Sequence, residues 1–444
     1  MNRFDILVIG AGMGGMCTAA QLAVNGYHVL VVESLPRIGG RCSTIDHKGY
    51  KLTTGVLGVE MSGGVESFFH SIGVPFDIRP AGDFHYLING RIIKVPSGKG
   101  LRYLLEAAGA DESEIELLMG AISRALNWKI PSPPVSFQEW LSQYTQDPKI
   151  QAIFQTIVAT QLFVGLGGIT AESFFRYIRS NQGIKPFGYA PAGNIALPLE
   201  LERIILENGG EVWTRARAER ILMENKSVKG ALINHNGRVD TITASAVVSN
   251  IGPLNTVKLA GRENLDHDHL KQLDTLLIPA QAICLQIALK CRLFTPSHLL
   301  VAGSRRINSL HQPTAMCPDL APQGHHLLVA TAITGSSSEL MDLEQEIDLC
   351  MQDLKELFPG FQDKTEILIT GVHRDRYPVL HTVPGRDVSI RTPVINLYNV
   401  GDGVKEAGYC GLPATVESAN RVAADIHKRI NLWRSDEATA YQTF

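Results

Sequence analysis

Three glycines near the N-terminus have the spacing that lets a polypeptide backbone approach a phosphate group. They are the first, third and last residues of the run Gly10-Ala11-Gly12-Met13-Gly14-Gly15. Glycine allows a tight turn and puts no side chain between the backbone and a bound pyrophosphate, while the free N–H groups at the start of a helix attract negative charge. Glu33 follows, and its carboxylate can accept hydrogen bonds from ribose hydroxyls. These residue types predict a dinucleotide site.

The elements around the glycines have the order that such a site needs. Residues 4–9 form a short apolar run that is typical of a buried parallel strand. Residues 16–25 are rich in Ala, Gln and Leu, which predicts a helix ended by Gly26. Residues 27–32 are a second apolar run, with Glu33 after it. The glycine pattern alone is weak evidence, but the order strand, glycine turn, helix, strand, acid is that of a Rossmann unit.

The next segment, Arg37-Ile38-Gly39-Gly40-Arg41, indicates which dinucleotide binds. It resembles the R-x-G-G-R segment of the flavin-containing amine oxidase superfamily, in particular its phytoene desaturase-like branch. The resemblance implies that these glycines and arginines lie along the pyrophosphate and ribityl chain of FAD, and it adds Ser34 to the cofactor site. A domain that binds NAD alone has no need for a second phosphate-facing segment, so we expect FAD. One position departs from the family pattern, because Thr53 stands where relatives often have an acid.

The resemblance extends to segments in the middle and at the end of the chain. It implies that Ala218 contacts the adenine through its backbone and that the strand before Asn250 ends near the flavin. Residues 395–400 predict a strand, and the resemblance places the acid after it on the ribityl or phosphate end of FAD. The helix that follows is expected to face the pyrimidine ring, where its dipole can stabilise a reduced, anionic flavin. The residues concerned are Gly401, Asp402, Gly411, Leu412 and Pro413.

The catalytic residues are less well defined than the cofactor site. Tyr409 and Cys410 lie in the loop that is expected to reach the flavin ring, and His381 lies where the substrate domain is expected to rejoin the FAD domain. A histidine there titrates near neutrality and can exchange a proton, but a buried histidine with a backbone partner fits as well. For Cys410, a packing role, a redox thiol and a covalent flavin link all stay open.

The rest of the chain predicts a second domain inserted into the first. Asn89-Gly90 between two apolar runs is a strong hairpin signal, and residues 100–180 have apolar residues at helical spacing. We expect an α/β fold with a Rossmann-type FAD-binding domain (residues 1–83, 186–277 and 387–444). Its inserted α+β substrate domain (residues 84–185 and 278–386) combines a mixed sheet with a helical block. Several side chains of that block are candidates for a dry pocket, although each fits a simple core equally well: Ile153, Phe154, Leu162, Phe163, Phe174 and Phe175.

The composition argues against several other classes of protein. A net charge of −3 gives no basic surface for nucleic acid, and 45% hydrophobic residues supply a core. The seven cysteines lack C-x-x-C spacing, which predicts free thiols in a reducing, cytoplasmic compartment and neither disulfides nor a metal site. No signal peptide is recognisable, and polar residues and glycines interrupt the most apolar window, residues 150–169, so we expect no transmembrane helix. A peripheral membrane contact and the oligomeric state stay open.

Three functions are consistent with these residues. The first is an FAD-dependent desaturase, dehydrogenase or isomerase that acts on an apolar, polyene- or lipid-like small molecule, with hydride transfer from carbon to flavin N5. The second is an amine oxidase-type enzyme that oxidises a C–N bond and releases hydrogen peroxide. The third is a non-catalytic protein that uses FAD structurally. We predict the first of these.

Overall fold

The computed structural model describes residues 3–96, 100–128, 134–336, 342–375 and 377–430. Its strands are β1 (Arg3–Ile9), β2 (Val29–Val32), β3 (Thr44–His47), β4 (Tyr50–Thr53), β5 (Val59–Glu60), β6 (Arg79–Pro80), β7 (His85–Ile88), β8 (Arg91–Lys94), β9 (Phe187–Tyr189), β10 (Glu211–Trp213), β11 (Ala216–Glu224), β12 (Ser227–His235), β13 (Arg238–Ser249), β14 (Ala280–Leu289), β15 (His298–Val301), β16 (Ile307–His311), β17 (His326–Ser336), β18 (Thr365–His373) and β19 (Leu397–Asn399). Its α-helices are α1 (Met13–Val24), α2 (Gly64–Ser71), α3 (Gly100–Ala108), α4 (Glu112–Leu126), α5 (Phe137–Leu141), α6 (Pro148–Leu162), α7 (Ala171–Asn181), α8 (Ala196–Glu207), α9 (Pro253–Ala260), α10 (His267–Leu276), α11 (Leu343–Leu357) and α12 (Gly411–Arg429).

The first large sheet is the nucleotide-binding one, with strand order β10-β2-β1-β13-β12-β11 and β19 also paired to β13. β10, β2, β1, β13 and β19 are parallel, whereas β12 and β11 extend the sheet in antiparallel fashion. β1 from Phe4 onward and β2 are buried on both faces, which explains why they read as continuous apolar runs. α1 packs against both α8 and α12. The α/β class and the Rossmann-type architecture are confirmed.

One strand of this sheet is longer than the sequence suggests. The sequence predicts a hairpin around Asn236-Gly237 and a separate buried strand at residues 246–250. In the structure, the chain continues after the turn as the single 12-residue strand β13. Its first half is partly exposed and pairs with β12, and its last four residues are buried beside β1 and β19. The change from alternating to continuous burial makes one strand look like two in the sequence.

The second large sheet has the order β18-β14-β17-β16-β15-β7-β8 and lies in the part predicted to bind substrate. Its strands come from two separated stretches of the chain, because β7 pairs with β15. The predicted hairpin joins β7 to β8, and both of its central residues have positive φ, 51° for Asn89 and 73° for Gly90.

The helical block, α3 to α7, has an aromatic core. The Phe137 ring lies 4.1 Å from that of Phe174, and Trp140 lies 4.8 Å from Phe175, measured between centroids. Five of the six candidate pocket residues are buried in this core, so the core interpretation holds for Ile153, Phe154, Leu162, Phe174 and Phe175. Phe163 differs, because it is half-buried and ends α6 in the left-handed conformation, with φ of 57°. None of the helices in the described ranges is long and apolar enough to cross a bilayer.

Candidate functional site

The glycine turn and the Gly39-Gly40 segment lie side by side. The Gly39 N–H donates to the Ala11 carbonyl at 2.7 Å, and Gly12 and Gly39 form a parallel bridge. A Cβ atom on Gly40 would lie 3.4 Å from the Gly12 Cα atom. Two segments that were predicted separately from the sequence therefore form one continuous backbone surface.

The Asn250 side chain closes this surface from the other side. A Cβ atom on Gly12 would lie 2.6 Å from Asn250 Nδ2, and one on Gly14 would lie 2.7 Å from Asn250 Oδ1 and 3.1 Å from the Gly401 nitrogen. Gly401, next to Asp402, thus adjoins the glycine turn directly. Gly12, Gly14 and Gly40 are here called the cradle. Gly12 and Gly14 have no room for a Cβ atom, and the bare backbone of the cradle can approach a pyrophosphate, as FAD requires.

Glu33 is held in place at the end of β2. Its Oε2 atom accepts from the Ala11 N–H at 2.9 Å, and its Oε1 atom accepts from the Leu35 N–H at 2.8 Å and from the Ser34 hydroxyl at 3.2 Å. The Glu33 carbonyl accepts from the Ala216 N–H, which places the start of β11, and with it Ala218, beside the acid. This geometry fits the ribose and adenine end of a dinucleotide. Arg37 is exposed, whereas Met13 is buried.

Asp402 is the most heavily bonded acid of the site. The Arg41 guanidinium donates to both of its oxygens, at 3.0 Å and 2.5 Å, and the His381 N–H and imidazole lie 2.9 Å from the same carboxylate. Burial by itself would raise the pKa of Asp402, but the charge of Arg41 and the contacts with His381 hold that pKa well below its usual value. Asp402 is therefore ionised at neutral pH, and Arg41 and His381 fix the position of its carboxylate. The catalytic role of His381 stays a prediction.

The last helix starts where the sequence predicts. Cys410 precedes the first residue of α12, Gly411, and Leu412 and Pro413 are half-buried in its first turn. The Phe163 ring lies 3.6 Å from the position of a Cβ atom on Gly411, so the helical block touches the helix start. Cys410 is buried, and burial raises the pKa of its thiol to about 12. A protonated, enclosed thiol fits packing better than a redox role.

Tyr409 is half-buried and faces a cavity of about 220 Å³. Glu60, Lys185 and Pro413 also line this cavity. Burial raises the pKa of Tyr409 and also that of Glu60, and for Glu60 the nearby Lys185 opposes the shift. A polar cavity thus adjoins the loop that the sequence predicts to reach the flavin ring.

Two residues that sequence reasoning missed hold the segment containing Thr53. Gln286 of β14 accepts from the Thr53 N–H at 2.9 Å and donates to the Thr53 carbonyl at 2.8 Å. Asn194 donates to the Val56 carbonyl at 2.5 Å, and the Thr53 hydroxyl donates to the same carbonyl. The signal was a glutamine in a largely apolar strand, since a buried amide needs a partner.

Comparisons with known proteins agree with this geometry. The family model described as flavin containing amine oxidoreductase matches residues 13–427. An uncharacterized protein of Methanocaldococcus jannaschii is 28% identical over 414 residues, which cover 90% of this chain and 94% of that protein. The 4,4'-diapolycopen-4-al dehydrogenase of Metabacillus indicus is 22% identical, over 80% of this chain and 81% of the enzyme.

A solved structure and a more distant relative complete the comparison. The crystal structure of an oxidoreductase from Methanosarcina mazei superposes with a TM-score of 0.84 at 26% identity, over 95% of this chain and all of that one. The all-trans-retinol 13,14-reductase of Macaca fascicularis is 24% identical, but the match spans only 48% of its length and 57% of this chain.

Proposed function

Because the chain belongs to the flavin containing amine oxidoreductase family, we propose that it is an FAD-dependent dehydrogenase or desaturase acting on an apolar, polyene- or lipid-like small molecule. FAD, when bound, supplies a hydride acceptor at N5 of its ring. The observation that carries the proposal is the convergence of the glycine turn, the Gly39-Gly40 segment, Asn250 and Asp402 on one cleft. The helical block reaches the start of α12, where the Phe163 ring lies 3.6 Å from the position of a Cβ atom on Gly411.

The residues of the chain have distinct tasks in this scheme. Gly12, Gly14 and Gly40 bind the pyrophosphate with backbone atoms, Glu33 binds the ribose, and Asp402 orients the ribityl chain. The start of α12 offers free N–H groups and a partial positive charge to the pyrimidine edge of the ring, which stabilises negative charge there by about 1–2 kcal/mol in a partly buried geometry.

Two observations support an apolar substrate. The Phe163 ring packs at the start of α12, where it would help to exclude water, and Thr53, which stands where relatives often have an acid, is held by uncharged bonds from the Gln286 side chain to its backbone. The match to the diapolycopenal dehydrogenase runs through both large sheets, so it includes the part that we assign to substrate binding.

The test uses purified protein loaded with FAD under anaerobic conditions. We expect a yellow protein whose flavin absorbance bleaches when a polyene alcohol or aldehyde is added, with no bleaching by a panel of primary amines. Bleaching by amines alone, followed by peroxide release in air, would replace this proposal with the amine oxidase alternative. A protein that binds FAD but whose dithionite-reduced flavin reacts with neither oxygen nor a quinone would indicate a structural role for the cofactor.

A further inference from the structure

The segment of residues 378–383, here called the return segment, leads the chain from the substrate sheet back to the nucleotide-binding sheet. It is paired with the start of β14: the Ala280 N–H donates to the Leu380 carbonyl, and the Val379 N–H donates to the Ala280 carbonyl, both at 3.0 Å. Because β14 also carries Gln286, which binds Thr53, the return segment sits at one end of a strand whose middle reaches the cofactor site.

Three charged side chains of the nucleotide-binding part hold the backbone of the return segment. Arg41 donates to the carbonyls of Pro378 and Val379 at 3.1 Å and 2.7 Å. Asp402 accepts from the His381 N–H at 2.9 Å. Lys405 donates to the carbonyls of Thr382 and Val383 at 3.2 Å and 3.4 Å. Arg41 and Asp402 are also predicted to bind FAD, so the same two side chains would serve both the cofactor and the return segment.

Lys405 is the member of this set that the cofactor site does not explain. Its side chain is 1% exposed, and the nearest acid, Asp387, lies 3.9 Å from its ammonium group. The facing Oδ1 atom of Asp387 has no hydrogen-bond partner among the residues that the structure describes. Burial lowers the pKa of Lys405, and the neighbouring Asp387, Cys410 and Asp402 oppose that shift. A lysine is almost never fully buried without a close partner, and here its ammonium group is directed to two main-chain carbonyls.

We propose that Lys405 is a positioning residue. It holds the return segment at residues 382 and 383, while Arg41 and Asp402 hold the same segment at residues 378, 379 and 381. Through these three side chains, the binding of FAD is coupled to the position of the substrate sheet. Releasing the segment at Lys405 removes the carbonyl partners of Arg41 and the His381 partner of Asp402, and the cofactor site loosens. The inference rests on the assignment of FAD to this cleft but not on the choice of substrate.

The first test replaces Lys405 with methionine, which keeps the length and removes the charge. We expect Lys405→Met to raise the dissociation constant for FAD about tenfold, which corresponds to about 1.4 kcal/mol. The matched control is Asp353→Asn. Asp353 is a buried acid on α11 that accepts from the N–H groups of Arg305, Arg306 and Ile307 and lies in none of the segments predicted to bind FAD. This control should lower the unfolding temperature and leave the affinity for FAD unchanged.

A double-mutant cycle separates coupling from general destabilisation. Within the described residues no hydrogen bond or ion pair joins Lys405 to Arg41, so independent roles would give additive losses of FAD affinity. If both act through the return segment, Lys405→Met adds less than twofold in an Arg41→Met background. Additive losses, or an unchanged affinity in Lys405→Met, would overturn the proposal. If Lys405→Met does not fold, hydrogen exchange in the wild-type protein decides. FAD should then slow exchange at the amides of residues 379–383 and not at residues 305–307, and equal exchange with and without FAD refutes the coupling.

Discussion

Replacing Gly15 by alanine should displace the start of α1 and weaken both the fold and the binding of FAD. An added Cβ atom would lie 2.2 Å from the Gly10 carbonyl oxygen, about 1.2 Å inside the 3.4 Å at which ordinary contact begins. The obstacle is backbone, so no side chain can rotate away, and Val8 and Asn250 close the other sides at 3.1 Å and 3.2 Å. Overpacking of this kind costs about 3 kcal/mol. The phosphate-facing N–H groups would move with the start of α1, so the affinity for FAD should fall as well.

The matched control is Gly64→Ala at the first residue of α2. A Cβ atom there meets nothing within 4 Å, and Gly64 has no positive φ, so the variant should keep its stability and its affinity for FAD. The assay combines chemical unfolding of the apoprotein with fluorescence titration of FAD. If Gly15→Ala matches Gly64→Ala in both measurements, the close packing of α1 on β1 cannot be what the third glycine of the motif provides.

Three further predictions follow from buried groups. Gln286→Leu removes the partners of the Thr53 N–H and carbonyl and should cost about 2–3 kcal/mol in the free energy of unfolding. Gln345→Leu, at an exposed position of α11, should change that free energy by less than about 0.5 kcal/mol, and equal effects of the two variants would contradict the reasoning. In native protein a thiol reagent should modify Cys291 rapidly and leave the six buried cysteines, Cys410 included, unmodified until the chain unfolds; fast loss of Cys410 would speak for a reactive thiol. Burial lowers the pKa of His298 to about 4 and that of His311 to about 3. Both histidines stay neutral in the folded state, so unfolding takes up protons below pH 6.5. The free energy of unfolding should therefore fall as the pH drops from 6.5 towards 4, by up to about 1.4 kcal/mol per pH unit for each histidine. His311→Gln should reduce the slope of unfolding free energy against pH, and an unchanged slope would show that other groups determine it.

Much of the nucleotide-binding part could be predicted because its signals are local. The glycine turn, Glu33 and the start of α12 each depend on residues close together in the chain, and the same is true of the hairpin at Asn89-Gly90 in the second sheet. The glycines carry their own physical reason, since a Cβ atom at Gly12 or Gly14 would collide with Asn250. In such places a short stretch of sequence determines the conformation.

The connections between these pieces could not be predicted in the same way. Arg41 and Asp402 were each assigned to the cofactor, but their ion pair joins residues 361 positions apart. The Arg41 bonds to Pro378 and Val379 span similar distances along the chain. Lys405 reads as an ordinary surface lysine, and only the packed structure shows that its ammonium group is buried. Partners of this kind are set by how the sheets meet, and no periodicity or spacing encodes that.

The pairing of β7 with β15 has a consequence for how the protein is made. Residues 85–88 leave the ribosome long before residues 298–301, and at 5–20 residues per second the intervening chain takes roughly 10–40 s to synthesise. For that time the new hairpin carries an open hydrogen-bonding edge with apolar side chains, which is a template for pairing with other nascent chains. The yield of folded protein is therefore expected to depend on how well this edge is protected during translation, by a chaperone or by rapid docking of the aromatic helices made directly after it.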